Sequence, residues 1–315
     1  MPTPAQKIIV VVGPTASGKT ALALSLARRF GGEVINCDSR QIYREVEIGA
    51  AVEPGEWRVA RRGRSLRRVW FAGGVRHHLT NFLSPALTMS AAEYKRLAVA
   101  QIRAVLRRGR LPILCGGTGL YASAVIENFS LPEVPPDEAF RAATLARPAD
   151  ESVAALAAAD PDYAARAGRN PRYVVRALEV MRATGRTMTE MQQKGEPLFD
   201  ALRLGVARPR EELNERCERR FDLMMRAGLL EETRRLGERY GWQAPAATAI
   251  GHRQLGAFVR GEISLAEAVA DAKAATRQYA KRQLTWFRRD SQIRWVEDEA
   301  TAIELARRHL VGRDN

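Results

Sequence analysis

Cysteine is scarce in this chain of 315 residues, and negative charge is in deficit. The three cysteines, Cys37, Cys115 and Cys217, are scattered and form no C-x-x-C pair, which argues against both a structural zinc site and a disulfide framework. No run of about 18 apolar residues occurs, so no segment is expected to span a membrane. The opening MPTPAQK lacks the apolar core of a signal peptide, and the expected location is cytoplasmic. Asp and Glu number 36 against 50 Lys and Arg, a formal net charge of +14. A GC-rich genome explains arginine in place of lysine, but not basic over acidic. A small neutral substrate needs no such excess; a polyanion does, with RNA or DNA first.

What is present is organised around residues 8–20, IIVVVGPTASGKT. A β-branched run, Ile8 to Val12, leads into Gly13, Pro14, Thr15, Ala16, Ser17, Gly18, Lys19 and Thr20, then into an Ala/Leu-rich helix pattern over 21–29. Strand, G-x-x-x-x-G-K-T and helix in that order form a P-loop. Its backbone N–H groups and helix N-terminus are suited to phosphate oxygens. Lys19 is placed to reach a terminal phosphate, and the Thr20 hydroxyl to hold Mg²⁺. The loop alone does not say which phosphate compound binds.

Further along, 33–37 reads as a strand that ends at Asp38, Ser39, Arg40, Gln41, Ile42 and Tyr43. Groups just past the carboxyl ends of parallel strands line the ligand crevice. Asp38 is therefore a metal-associated carboxylate, a general base, or an ordinary helix N-cap. Residues 50–76 read as irregular and basic, with arginines at 58, 61, 62, 64, 67 and 68 against Glu56; they form a solvated surface or a phosphate-backbone contact. The adjacent His77 and His78 read as structural. Residues 90–108 form a helix, and 111–115 a buried strand running into GGTGLY, where Thr118 faces a ligand or stabilises a tight turn.

Three prolines in 131–136 mark a boundary. The stretch after it is helical and Ala-rich. The expected fold is α/β: a P-loop NTPase-like parallel sheet flanked by helices, made of residues 1–131 and 200–315, with an all-helical insertion over 132–199. Arg172 and Arg176 share a helix face. A returning strand near 202–207 leads to a charged helix with Arg216 and Arg220 one turn apart. Residues 248–253 read as a short turn. The last long helix, 271–290, carries Lys273, Arg277, Lys281 and Arg288 on one side, with Tyr279 and Trp286 beside them. That face suits unpaired RNA bases, or is a solvated basic face over two core aromatics.

Taken together, GPTASGKT, D-S-x-Q-x-Y, H-H-L, GGTGLY, the RALEV stretch, IGHRQ and YAKRQLTWFR occur in one order that resembles the tRNA dimethylallyltransferases, in the bacterial form, over nearly the whole chain. The resemblance implies transfer of a dimethylallyl group from its diphosphate to N6 of adenosine 37, beside the tRNA anticodon, with Mg²⁺ as cofactor and a monomer as the working unit. It implies that residues 13–20, with Arg216 and Arg220, hold the diphosphate, that Asp38 readies the adenine amine, and that Lys19 and Thr118 serve the reaction. Anticodon-loop contacts carry over to Asp38, Ser39, Arg40 and Gln41, to Thr118 and Arg141, and to Arg172, Tyr173, Val174, Val175 and Arg176. They carry over as well to Thr248, Ala249, Ile250, Gly251, His252 and Arg253, and to Lys281, Arg282, Gln283, Leu284, Thr285, Trp286, Phe287 and Arg288. Three places depart from the family. V-P-H-H-L-[IL]-D reads here Val75 to Asn81 and lacks the final carboxylate; G-T-A-K-P reads Gly49 to Pro54; and His252 stands where tyrosine is common. The rivals are a P-loop kinase, with Asp38 activating a substrate hydroxyl, and a non-catalytic RNA-binding protein.

Overall fold

The computed structural model describes residues 6–62 and 65–311, with the side chains of 60–67 set aside. In chain order the first unit opens with β1 (Lys7–Val12), α1 (Lys19–Phe30) and β2 (Gly32–Asn36). Next come β3 (Gly55–Arg62), β4 (Ser65–Ala72), β5 (Val75–His78), α2 (Ala91–Leu106), β6 (Leu111–Gly116) and α3 (Gly119–Ile126). The second unit holds α4 (Glu138–Leu145), α5 (Ala149–Ala159), α6 (Pro161–Ala167), α7 (Pro171–Thr184) and α8 (Met188–Met191). The chain then returns to the first unit with β7 (Asp200–Val206), α9 (Arg210–Arg226), α10 (Leu229–Tyr240) and α11 (His252–Val259). It ends with α12 (Leu265–Phe287), β8 (Arg294–Val296) and α13 (Glu299–Val311). The first unit is residues 1–122 and 198–315, the second 123–197.

One eight-stranded sheet runs β3-β4-β5-β2-β6-β1-β7-β8. From β5 to β8 it is parallel. Strand β1 is central because Ile8 to Val11 have no polar atom to hydrate and are wholly buried on both faces. Helix α1 lays Leu22, Ala23, Leu26 and Ala27 on the sheet, and Gly31 stops it at φ 63° in the left-handed region. The ends of β1, β2 and β6 therefore open on one edge, beside β7. This edge carries the P-loop, the 38–43 segment and GGTG, the arrangement in which open α/β sheets bind ligands.

The stretch 50–76, expected to be irregular, instead carries β3, β4 and the start of β5, the antiparallel part of the sheet. Trp57 opposite Trp70 packs edge to face at 5.5 Å, a cross-strand pair that favours a ribbon. Gly73 and Gly74, at φ 55° and 78°, supply the turn to β5. The arginines hide this alternation in the sequence. The 248–253 turn is present but runs into α11. Strand β8 and helix α13 are further elements beyond those read from the sequence.

The helical unit closes its own core with Leu156, Tyr163, Val174, Ala177, Val180 and Met188. Its helices start where caps dictate. Asp160 accepts from Tyr163 N, and Asn170 accepts from Arg172 N just ahead of Pro171.

Candidate active site

The P-loop takes its shape from three residues in the left-handed half of backbone space: Gly13 at φ 155°, Ala16 at 62° and Gly18 at 101°. A side chain on Gly13 would meet Ser17 Oγ at 3.0 Å and Val206 O at 3.3 Å. Ser17 is fully buried, and its hydroxyl has no hydrogen-bond partner among the described residues. Lys19 folds back to donate to Pro14 O at 3.2 Å. Burial lowers its ammonium pKa, with the Asp38 carboxylate opposing.

Helix α9 and the residues before it add guanidiniums from the far side. Arg216 donates to Ala16 O at 2.7 Å, Arg220 to Thr15 Oγ1 at 3.4 Å, and Arg208 to Ser17 O at 3.3 Å. Arg220 is pushed down by burial, against the pull of Asp38. Four cations thus converge on one loop. Glu212 approaches Arg208 and Arg216 only at 3.8 and 3.7 Å. A cluster of buried and half-buried cations with few anions among them is stabilised by a polyanionic ligand. Arg208 was not legible as a site residue, because nothing in its local pattern marks it.

Asp38 sits beyond this cluster. Its Oδ1 accepts from Arg40 N at 2.9 Å, and its own N–H donates to Asn36 Oδ1. No helix follows Asp38 directly, so it is not the helix N-cap the sequence allowed; its Oδ1 closes a turn instead, which uses one carboxylate oxygen. Thr118 joins the next loop to it: Thr118 Oγ1 accepts from Ser39 N at 2.9 Å and donates to Ser39 Oγ at 3.2 Å. The Tyr279 phenol is also at this point. Burial raises its pKa, Asp38 adds to the rise, and a hydrogen bond with Thr118 opposes it. Tyr94 stacks on Tyr121 at 3.9 Å behind GGTG and ties itself to Asn36 O.

The glycines of GGTG have a different use from the expected one. A side chain on Gly117 would strike Gln283 Nε2 at 2.3 Å, and one on Gly119 would strike Trp286 at 2.2 Å. They admit helix α12 close to this strand end. Gln283, 5% exposed, accepts from Thr15 N and donates to Gly117 O, both at 2.8 Å. It is a strut between the two loops, and its expected place among the RNA contacts is corrected accordingly.

The same ground of burial corrects Val174, Val175, Ala249, Gly251, His252 and Phe287, while Arg40, Gln41, Arg141, Arg176 and Thr248 are half-buried and hydrogen-bonded within the protein. Val174 and Val175 lie inside the helical core. Arg141 and Arg176 both spend their guanidiniums on buried Glu179, and Arg176 also donates to Val134 O. Ala249 and Phe287 are buried, Gln41 donates to Ala50 O and Ala51 O, Arg40 donates to Pro245 O, and Thr248 donates to Pro245 O.

His252 is 1% exposed. Thr233 gives its hydroxyl proton to Leu229 O, so it must accept from His252 Nδ1. His252 Nε2 then faces Glu232 Oε1 at 3.3 Å, and Glu232 holds Ile48 N and Gly49 N at 2.8 Å each. Two acceptors cannot face each other without a proton. Accordingly burial raises Glu232 to about 7 and lowers His252 to about 4.

The exposed set is narrower. Arg172, Tyr173 and Arg253 are exposed on their helices, and Ile250 and Leu284 are half-buried; Gly251, the N-cap of α11, is buried. On α12, Lys273 pairs with Asp222 and Arg277 with Glu218. Among the described residues, Lys281, Arg282, Arg288 and Arg289 have no acidic partner. A groove of about 420 Å³ is lined by Lys281, Arg282, Thr285, Trp286, Arg289 and Gln278.

A P-loop at the carboxyl edge of a parallel sheet, with cations crowding it and a carboxylate two strands over, is suited to a phosphate-bearing substrate. The chain belongs to the IPP transferase family, whose model matches residues 41–290. It is 41% identical over 317 residues to a tRNA dimethylallyltransferase of Anaeromyxobacter dehalogenans, covering 98% of both chains. It is 39% identical over 312 residues to one of Moorella thermoacetica, covering 95% of this chain and 92% of that one. Among solved structures it resembles the full-length tRNA isopentenylpyrophosphate transferase of Bacillus halodurans, with 34% identity, a TM-score of 0.69, and 98% and 96% of the two chains covered. It also resembles a eukaryotic dimethylallyltransferase described as acting on tRNA, with 25% identity, a TM-score of 0.79, and 98% and 80% covered.

Proposed function

We propose that the protein, working as a monomer in the cytoplasm, transfers the dimethylallyl group of dimethylallyl diphosphate to N6 of adenosine 37 in tRNA. The observation that carries the reading is the crowd of Lys19, Arg208, Arg216 and Arg220 around one P-loop, with Asp38 beyond it. In the reaction the allylic C1–O bond breaks and its electron pair leaves with the diphosphate. The N–H groups of the P-loop and these four cations stabilise that charge. A new C1–N6 bond forms, and N6 loses a proton. Adenine N6 is a poor nucleophile because its lone pair is delocalised into the ring. The second oxygen of Asp38 orients it and takes the proton. Thr118 positions the nucleotide beside Asp38, with the adenosine drawn out of its stack.

Mg²⁺ fits the donor set. Among the described residues no group of three or more His, Cys, Asp or Glu could hold a metal alone, which suits an ion that leans on phosphate oxygens and water with one protein hydroxyl, here Thr20. When bound it would neutralise charge on the diphosphate. The test is incubation with dimethylallyl diphosphate, Mg²⁺ and an anticodon stem-loop carrying adenosine at 36 to 38, followed by nucleoside mass analysis. The expected product is adenosine bearing one C5H8 unit. Phosphoryl transfer from ATP to a small alcohol, with no such product, would replace this reading with the kinase.

A further inference from the structure

Helix α12 brings one more polar group to the catalytic loops, the Tyr279 phenol. Tyr279, Gln283 and Trp286 follow one another at helical spacing along one side of α12. The backbone that carries them is fixed. Gln283 ties Thr15 N to Gly117 O, Trp286 lies against Gly119, and Ala280 packs with Leu213 and Cys217 of α9 and with Ala16 of the P-loop. The ring of Tyr279 is held in turn by Arg282, whose guanidinium lies 5.7 Å over it.

The phenol is hydrogen-bonded to the Thr118 side chain, and the protons of that contact are countable. Thr118 has one hydroxyl proton and gives it to Ser39 Oγ at 3.2 Å. Ser39 N donates to the same Thr118 oxygen at 2.9 Å. The phenol must therefore donate to Thr118 Oγ1 as a second donor. Burial raises its pKa and the Asp38 carboxylate raises it further, which keeps that proton in place. With its proton given and both lone pairs taken, the Thr118 hydroxyl is held in one orientation. Ser39, bonded twice to Thr118, is the residue after Asp38, whose Oδ1 closes the turn at Arg40 N. In an ordinary core a buried phenol takes whatever partner is at hand. This one is bonded to a hydroxyl whose two other hydrogen bonds both go to the Asp38 segment.

We infer that Tyr279 is a positioning residue for the transfer: its phenol locks Thr118 and, through Ser39, holds Asp38 where the adenine amine meets it. The inference rests on the tRNA reading above and adds a residue of α12 to it. A catalytic group misplaced by about 1 Å costs about 10²-fold in rate. Loss of a bond that orients Asp38 therefore belongs in kcat rather than in binding.

The test compares Tyr279→Phe, Thr118→Val and the double variant with the wild type, all as the full chain. It measures kcat, KM for tRNA and for dimethylallyl diphosphate, and the melting temperature. Tyr279→Phe keeps the ring under Arg282 and removes only the hydroxyl. It should lower kcat ~10-fold while both KM values stay within about twofold. Adding Tyr279→Phe to Thr118→Val should cost less than about twofold more in kcat, since the phenol acts through the threonine. An unchanged kcat in Tyr279→Phe would overturn the inference. So would a further ~10-fold loss in the double variant, which makes the phenol act independently of Thr118. A lowered melting temperature whose kcat loss disappears on cooling would assign Tyr279 to stability alone. Failure of the wild type to prenylate tRNA would instead remove the reading on which the inference stands.

Discussion

At the scale of single residues, the site divides its labour between atoms of the same side chain. Asp38 caps the turn with Oδ1 through Arg40 N, and only its other oxygen is left for the substrate. Removing the carboxylate therefore mixes two effects, and Asp38→Asn separates them by keeping an oxygen for the cap. Asp38→Asn and Asp38→Ala should both lower kcat by about 10²-fold or more. The Asn variant should bind tRNA as the wild type does, within about twofold. Equal loss of turnover and of tRNA affinity in the Asn variant would move Asp38 out of proton transfer and into binding. Gln283 poses the complementary case. Thr15 N needs an acceptor and Gly117 O needs a donor, and only a carboxamide offers both at once. Gln283→Glu keeps the acceptor and puts a second carbonyl-like oxygen against Gly117 O. Gln283→Ala strands both backbone groups, at a cost of about 1–3 kcal/mol for each one left buried and unpaired. Both variants should raise KM for dimethylallyl diphosphate about 10-fold, because the P-loop loses its fixed distance from the Thr118 loop. An unchanged KM with a lowered melting temperature would make Gln283 a matter of stability alone.

At the scale of elements, what could be read from the sequence depended on how local the cause was. The P-loop, its helix and the GGTG strand end are set by residues within a few positions, so β1, α1 and β6 were legible nearly to the residue. The hairpin was not, because the Trp57–Trp70 pair that holds it is made across the turn and the arginines mask its alternation. Strand β8 is three residues long and exists by pairing with β7. The site residues followed the same rule. Asp38, Thr118 and Lys19 were legible from their motifs, whereas Arg208 and the strut at Gln283 depend on where α9 and α12 pack. Glu33 at the start of β2 gives this scale its own prediction. Burial alone would raise its carboxyl, but hydrogen bonds from His78 at 2.6 Å and from Arg108 outweigh it and hold it at about 2. A carboxylate depressed below its ordinary 4.5 adds stability above that pH and loses it as pH falls toward 2. Glu33→Gln should cost on the order of 2–3 kcal/mol at pH 7, and the gap between the two urea curves should narrow by pH 3. Parallel curves at both pH values would assign the acid sensitivity elsewhere. The Glu232–His252 pair is no substitute source. Its protons leave at about 7 and about 4, against 6.5 and 4.5 for the separate groups, so its net contribution between pH 5 and 8 is small.

At the scale of the whole molecule, the +14 net charge is an average that conceals how much of it is already neutralised. Helix α12 shows the distinction within 23 residues. Its first cations, Lys273 and Arg277, are held by Asp222 and Glu218 on α9. Past Ala280 the pattern changes, and Lys281, Arg282, Arg288 and Arg289 project from the helix and its end with no acidic partner among the described residues. Charge that is already paired releases few counterions when RNA arrives, whereas unpaired charge releases about one for each phosphate met. Sequence spacing alone cannot make this separation, since all of these residues share the periodicity of one basic face. Lys281→Ala with Arg288→Ala should therefore weaken tRNA binding and reduce the slope of log K against log salt by about 1 to 2. Lys273→Ala with Arg277→Ala removes the same formal charge from the same helix, yet should leave that slope within its error and affinity within about twofold. Titrations of both double variants from 50 to 300 mM salt decide between local and global electrostatics. If the two pairs lower the slope equally, net charge rather than the unpaired end of α12 governs the encounter with RNA, and the assignment of that end as the binding face fails.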